Sequence, residues 1–580
     1  MTPYAPTDDI LFALKLAARE EEMASGSFQD LADGFAEQTI LEAEKFAKTQ
    51  LLPLNKIGDQ IGARFNAGVV TTAPGWKEAY EKWKDGGWNG LSAEAEYGGS
   101  ALPILLNAAC TEIWNSANMA FALCPLLSHG AIEALSAHAS AELKNIYLPH
   151  IISGAWPATM NLTEPQAGTD LALLRTRAER SEKGSYRIYG QKIYITYGEH
   201  DLSENIIHLV LARLPDAPAG TRGISLFLAP KFLADDAGGF TRRNDIRCVG
   251  LEHKLGIHGS PTCTMSFGDT QGATAYLIGE ENNGLACMFT MMNNARLSVG
   301  IQGVALAERA TQMALAYALE RKQGRALGAK ATSSIIDHPD VMRMLLTMAS
   351  LTSAARSICF ETAASLDRAS REKDPIKAKA AFERASLLTP IAKAFSSDIA
   401  NETTSLGVQI FGGMGYIEET GAAQLMRDAR ICAIYEGANG VQAIDLTMRK
   451  ILLSEGIILE NELKDMDKIA QDHDCEDLII TVQALREASA FIQQALKQDQ
   501  NIALAGATPY LRLFALARGG TLLIKAAERA KKNNDPHSMR REAMAEFFSH
   551  HIANYAPALA KSIIHGADST LAGTKIFNRP

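Results

Sequence analysis

The chain has 580 residues, 47% of them apolar and 21% charged, with a net charge of −9. That length exceeds one ordinary core, so two or more packed domains are expected in a folded, globular protein, and disordered or fibrous classes are excluded. The acidic balance, with a pI near 5.9, argues against a nucleic-acid role by charge alone.

Residues 1–155 read as helical, because ILFALKLAAREEE, FAEQTILEAEKFAKTQLLPL and ILLNAACTEIWNSANMAFALC repeat apolar residues at spacings near three and four. The first residues are broken by acids and lack the basic start and long apolar core of a secretory signal. Glycines and a proline in WNGLSAEAEYGGSALP, residues 88–103, predict a tightly turning loop. Over 156–283 the texture changes to short segments rich in β-branched and aromatic residues (SYRIYGQKIYITYG, NIIHLVLARL, GISLFLAP), which predict successive strands without intervening helices. Long helical patterns return over 284–455 and have the length of a helix bundle. An acidic linker then opens a further helical domain at 456–580. The expected fold is α+β: a helical N-terminal domain, a middle antiparallel β domain, a helical bundle and an additional C-terminal helical domain. No apolar run reaches the roughly 18 residues of a membrane span. Eight scattered cysteines form no Cys-x-x-Cys pair, so neither a disulfide framework nor a metal site is expected, and a cytoplasmic location fits reduced thiols.

Four segments carry candidate chemistry, each beside an ordinary structural reading. Residues 160–170, MNLTEPQAGTD, gather backbone N–H groups and two hydroxyls in one loop, suited to a phosphate-bearing cofactor or a heteroaromatic edge, or simply a proline turn. In the strand Gly190–Gly198, Tyr194 and Thr196 share a face and could flank a planar cofactor, as they could in any half-buried strand. Gln409–Tyr416 places a glycine cluster after a helix, where backbone can approach a pyrophosphate or merely cap the helix; it is not GxGxxG and sits in no βαβ unit. Glu436 stands in an apolar-flanked turn before Gly437, where desolvation can raise a carboxyl towards a general base's working range; a helix N-terminal acid is the plain alternative.

Together, in this order, TEPxAGTD, the Gly-x-Lys strand, QxxGGxGY and Tyr-Glu-Gly resemble the acyl-CoA dehydrogenase family over about residues 30–455, with Glu96–Gly99 and Tyr317–Arg321 in support. The resemblance implies FAD as cofactor and an acyl-CoA thioester as substrate. It implies Glu436 as the base removing the α proton while a β hydride passes to flavin N5. Met160, Leu162, Thr163, Thr169, Tyr194 and Thr196 match flavin-facing positions, with Tyr194 standing where many members have tryptophan. Arg321, Gln409 and Gly413 match the pyrophosphate and adenosine end, reached across a dimer. Thr169, Arg296, Tyr435 and Gly437 match substrate-facing positions. Some relatives carry their glutamate just before the arginine matched by Arg296; here that neighbour is Ala295.

Two departures stand out: Ala438 replaces a usual threonine, and Lys322–Arg325 lacks a usual phenylalanine. The extra C-terminal domain resembles a long bacterial branch of the family, which implies a homodimer, an electron-transfer flavoprotein as acceptor, and a short or methylthio-substituted acyl group. Phe121 and Trp114 are either the floor of a short acyl pocket or plain core. His253 and His258 are expected as loop or packing residues. An acyl-CoA oxidase on the same scaffold remains an alternative. A DNA-associated flavoprotein would need a basic tail, whereas residues 455–580 hold 15 Lys/Arg against 16 Asp/Glu. Membrane attachment through EAMAEFFSHHIANYAPALAKSII is disfavoured by its few basic residues.

Overall fold

The computed structural model describes residues 6–235 and 239–577, so the first five and last three residues of the outer expected domains lie outside the described residues. The chain divides into two units. One holds Ala43–Pro103 and Ala117–Ala295; the other gathers residues up to Glu42, Ile104–Ser116 and everything from Arg296 on.

The first unit contains twelve strands among the described residues: β1 (Arg64–Asn66), β2 (Val69–Thr71), β3 (Ala158–Asn161), β4 (Arg177–Arg180), β5 (Tyr186–Thr196), β6 (Ile207–Arg213), β7 (Ile224–Pro230), β8 (Phe232–Leu233), β9 (Arg242–Arg243), β10 (Ile246–Leu251), β11 (Thr262–Phe267) and β12 (Ala273–Ile278). Eight form one sheet in the order β10-β11-β5-β12-β7-β6-β3, with β4 paired to β5 and β6. Its body is antiparallel as expected, but β3 joins β6 in parallel, Ala158 opposite Ile207 and Asn161 opposite Val210. β4 and β5 lie between them in sequence and supply the long connection that a parallel pair requires. β7 is buried along its whole length and β6 up to Arg213, which explains their unbroken apolar sequence.

The helix Ile104–His138 is long and apolar enough to cross a membrane by length and composition, which corrects the expectation that no such segment exists. Of its apolar window 83% is buried, the mark of a core helix. Its geometry breaks at Asn118 (φ −160°, ψ 87°), two residues beyond the unit boundary. Phe121, fully buried, lies 6.1–6.3 Å from the rings of Trp76, Tyr80 and Trp83. It is therefore an aromatic core residue. His258 is held between Asp59 O and Lys254 O, both 2.9 Å, in a packing role.

In the second unit the antiparallel pair Pro339–Arg371 and Pro375–Phe411 is the scaffold. The latter helix starts cleanly because Pro375 needs no N–H partner and Asp374 accepts from Ile376 N at 2.9 Å. It ends where Gly412 turns left-handed at φ +61°. Buried Arg356 draws this scaffold onto two other helices, donating to Glu112 at 2.6 Å and Glu308 at 2.8 Å. The added helices Ile457–Asp472, Glu476–Gln498 and Ala507–Lys532 belong to this same unit. Arg518, 2% exposed, pairs with Asp465 at 2.6 Å and Glu462 at 3.4 Å, while Arg384 joins Glu462 to Glu361. Met544, Phe548, Ile552 and Ile563, four of the apolar residues of the segment weighed for membrane attachment, are buried here, while Tyr555 is exposed.

Candidate active site

After Gly412 the chain makes short helical turns, the helix Ala422–Ala429 and one more turn at Arg430–Ala433, then runs through Ile434–Ala438 into the helix Asn439–Met448. Glu436 and Gly437 are both left-handed, at φ +55° and +84°. A Cβ at Gly437 would lie 2.4 Å from Gln442 Nε2, the movable end of a side chain, so it is chiefly the positive φ that calls for glycine. Glutamate at positive φ is strained, and such strain persists only where the surroundings fix it. They do so on both sides. Tyr435 OH bonds to Gln302 Oε1, Gln302 Nε2 donates to Asn115 Oδ1 at 3.1 Å, and Asn115 Nδ2 donates to Thr111 O at 2.8 Å. On the other side Asn439 accepts from Lys393 Nζ at 2.9 Å.

Glu436 itself is half-buried, and among the described residues its carboxylate has no hydrogen bond or ion pair. Burial lifts it to about 7, against the pull of Arg296 and Lys393. Arg296 is 4% exposed and turned towards Asp445 at 3.5 Å. Thus Arg296, Tyr435, Glu436 and Gly437 lie together in one unit.

In the same unit Tyr317 stacks on Phe411 with centroids 4.3 Å apart and planes at 14°. That contact brings Arg321, Gln409 and Gly413 to one end of the bundle, all exposed.

The strand-bearing unit gathers the remaining candidates. Met160 lies one residue before the end of β3, and the loop that follows the strand is fastened to β5 by a buried ion pair. Lys192 Nζ donates to Leu162 O and to Glu164 Oε1, both at 2.8 Å. Glu164 also accepts from Arg175 N at 2.8 Å, Thr176 N at 3.0 Å and Gln166 Nε2 at 2.6 Å. Thr163 O accepts from Ile193 N at 3.0 Å. These bonds hold Thr163 half-buried and Thr169 exposed. A register shift between Cys263 and Met265 leaves an extra residue on β5 opposite β11, so Lys192 and Ile195 both point inwards and Tyr194 is thrown out. Tyr194 sits at φ +62° and is 60% exposed, with Thr196 half-buried beside it in sequence.

Sequence reasoning missed the supporting residues: the roles of Glu164 and Lys192, and Gln302, Asn115, Lys393 and Asn439 altogether. A signal existed for the lysines. Each is a lone charge in an apolar run, QKIYIT and TPIAKAF.

The fold and these clusters define an acyl-CoA dehydrogenase, and the chain belongs to that family. Models of the acyl-CoA dehydrogenase N-terminal, middle and C-terminal domains match residues 28–155, 159–270 and 282–451, and an acetyl-CoA dehydrogenase C-terminal-like model matches 463–573. The chain is an oxidoreductase acting on acyl-CoA. Among particular relatives, 3-methylmercaptopropionyl-CoA dehydrogenase of Ruegeria pomeroyi is 45% identical over 99% of this chain and 100% of its own. A butyryl-CoA dehydrogenase of Syntrophomonas wolfei is 36% identical over 71% of this chain and 69% of its own. The structure of Caenorhabditis elegans ACDH-11 in complex with C11-CoA shares the fold, with a TM-score of 0.74 at 21% identity over 99% of this chain and 95% of that one.

Proposed function

We propose that the protein removes the α proton of a short acyl-CoA with Glu436, giving the trans-2-enoyl-CoA, with FAD as cofactor. The observation that carries this reading is the Glu436 carboxylate: raised to about 7 by burial, without a direct partner among the described residues, on a turn that requires Gly437. A base with that affinity accepts a proton near neutral pH and needs no prior rupture of an ion pair. The backbone supports the same role. Tyr435 N–H is spent on Ile431 O at 3.1 Å, whereas no acceptor for Glu436 N–H is found among the described residues. That N–H would be available to polarise a thioester carbonyl, which acidifies the α carbon.

The residues fit the cofactor chemically. Tyr194, held out at 60% exposure, offers an aromatic wall, and Thr163 and Thr196 offer hydroxyls for the edge of a planar ring. Met160, Leu162 and Thr169 would line the same ring, Thr169 also serving the thioester. Arg321, Gln409 and Gly413 would hold the pyrophosphate and adenosine end; a Cβ at Gly413 would meet nothing within 4 Å, so backbone there is open to close approach. FAD, when bound, supplies the acceptor for the β hydrogen as hydride.

The name of the full-length Ruegeria relative supports a short, thioether-bearing acyl group. A homodimer is supported by apolar residues exposed near the Tyr317–Phe411 stack, among them Leu319, Met414 and Tyr416, the last 87% exposed. An electron-transfer flavoprotein as acceptor and a cytoplasmic location complete the proposal.

The test is anaerobic mixing of the FAD-loaded enzyme with a panel of acyl-CoAs, following the flavin band near about 450 nm. Short and methylthio-substituted substrates should bleach it, and Glu436→Gln should slow bleaching roughly 10²–10⁴-fold. Undiminished bleaching in that variant would move the base elsewhere.

A further inference from the structure

Lys393 lies in the apolar stretch of the helix Pro375–Phe411 and is fully buried. A buried ammonium is stable only with acceptors or opposite charge at hand. Its Nζ donates to Asn439 Oδ1 at 2.9 Å. The Asn439 amide donates in turn to Asp398 Oδ1 at 2.6 Å, Ser397 Oγ at 3.0 Å and Ala394 O at 3.2 Å. A neutral carboxamide thus takes the hydrogen bonds of both Lys393 and Asp398. Asn439 is also the first residue of the helix that follows Glu436.

The charged and titratable groups around the base are few. Arg296 faces it from the helix Gly284–Glu320 and is drawn to Asp445, which also holds Arg449 at 2.7 Å. Cys432 and Tyr435 come from the preceding turn, and Lys450 lies beyond Asp445. From the helix Pro375–Phe411 come Asp398 and Lys393. Arg296, shared with Asp445, and Lys393 are the two cations that favour the Glu436 anion.

We propose that Lys393 is a positioning residue for the α-proton base: it anchors Asn439, and with it the turn that presents Glu436, and supplies positive charge in the neighbourhood of the carboxylate. This rests on Glu436 being the base. Burial, which pushes Lys393 down to about 8, still leaves it mostly protonated at neutral pH.

The test is the pH profile of anaerobic bleaching by butanoyl-CoA in the FAD-loaded enzyme, for wild type, Lys393→Met, Lys393→Arg and Asn439→Ala. The base works ionised, so the rate rises with pH through its apparent pKa. Removing the nearby cation favours the protonated carboxyl, so Lys393→Met should move the rising limb up by about one pH unit. Lys393→Arg should return it, and Asn439→Ala should lower the rate at every pH without moving the limb. If the Met variant does not fold, Lys393→Gln, which keeps a donor for Asn439, carries the same test. A uniform loss of rate with the limb unmoved would show a merely structural lysine and overturn the proposal. Bleaching retained in Glu436→Gln would instead sink the base assignment, an outcome the Lys393 variants cannot mimic.

Discussion

Glu164 and Glu436 both stand in turns with a buried lysine nearby, yet they differ in what their carboxylates touch. Glu164, 4% exposed, meets Lys192 directly at 2.8 Å and collects two backbone N–H groups and the Gln166 amide. Those donors outweigh its burial and hold it down to about 2. Glu436 has no direct donor among the described residues, and burial lifts it to about 7. What separates them is the charge of Lys192 and the direct donors that oppose burial at Glu164 and have no equally close counterpart at Glu436. A carboxylate saturated by donors is a fastener; one left unsatisfied beside cations at a remove is free to exchange a proton.

The largest way to break this contrast is to remove one half of the fastener. Glu164→Gln leaves the ammonium of Lys192, fully buried, without its counter-charge, which should cost roughly 3–5 kcal/mol of stability. Urea unfolding should show it, and Glu164→Gln with Lys192→Met should recover a large part, since loss of both charges removes the orphan. Equal loss in single and double variants would mean that the pair is no fastener at all.

A smaller effect is expected in the other turn. Gly437→Ala places a side chain at φ +84° and against Gln442 Nε2. The Gln442 side chain can move, so the cost is mainly conformational, about 1–2 kcal/mol. Because the displaced backbone carries Glu436, the bleaching rate should fall more steeply than the melting temperature. A variant that melts lower but reacts at the wild-type rate would show that the turn's geometry is not what presents the base.

Much of this was legible in the sequence, for reasons that differ by residue. Strands β6 and β7 announce themselves because both faces are buried and the apolar run is unbroken. At Glu436 the local turn left a base and a helix N-terminal acid both open, and the expectation of a base came from the ordered motifs that resemble the family. The parallel seat of β3 was not legible, since only the partner strand decides it. Nor was the left-handed state of Tyr194, which comes from a bulge defined by register against β11, far away in the chain. Phe121 could have served a pocket or a core, and only Trp76, Tyr80 and Trp83 gathering round it settled the matter. Gln302 and Asn115 carry no signal alone; their role exists only once Tyr435 is placed beside them.

Tyr194 gives the smallest expected change in stability and the sharpest separation of stability from function. Its ring is 60% exposed, so little packing is lost in Tyr194→Gly, and the strain of φ +62° is relieved. Glycine's greater chain entropy in the unfolded state offsets that relief, so the flavin-free chain should change by less than about 1 kcal/mol. If the ring is the wall of the flavin site, the same substitution must weaken FAD retention, read as the ratio of flavin to protein absorbance after gel filtration. Unaltered retention together with unaltered stability would leave the outward ring and its bulge without a role in holding the cofactor. The β5 side of the proposed site would then rest on Thr196 and on the loop fastened by Glu164 alone.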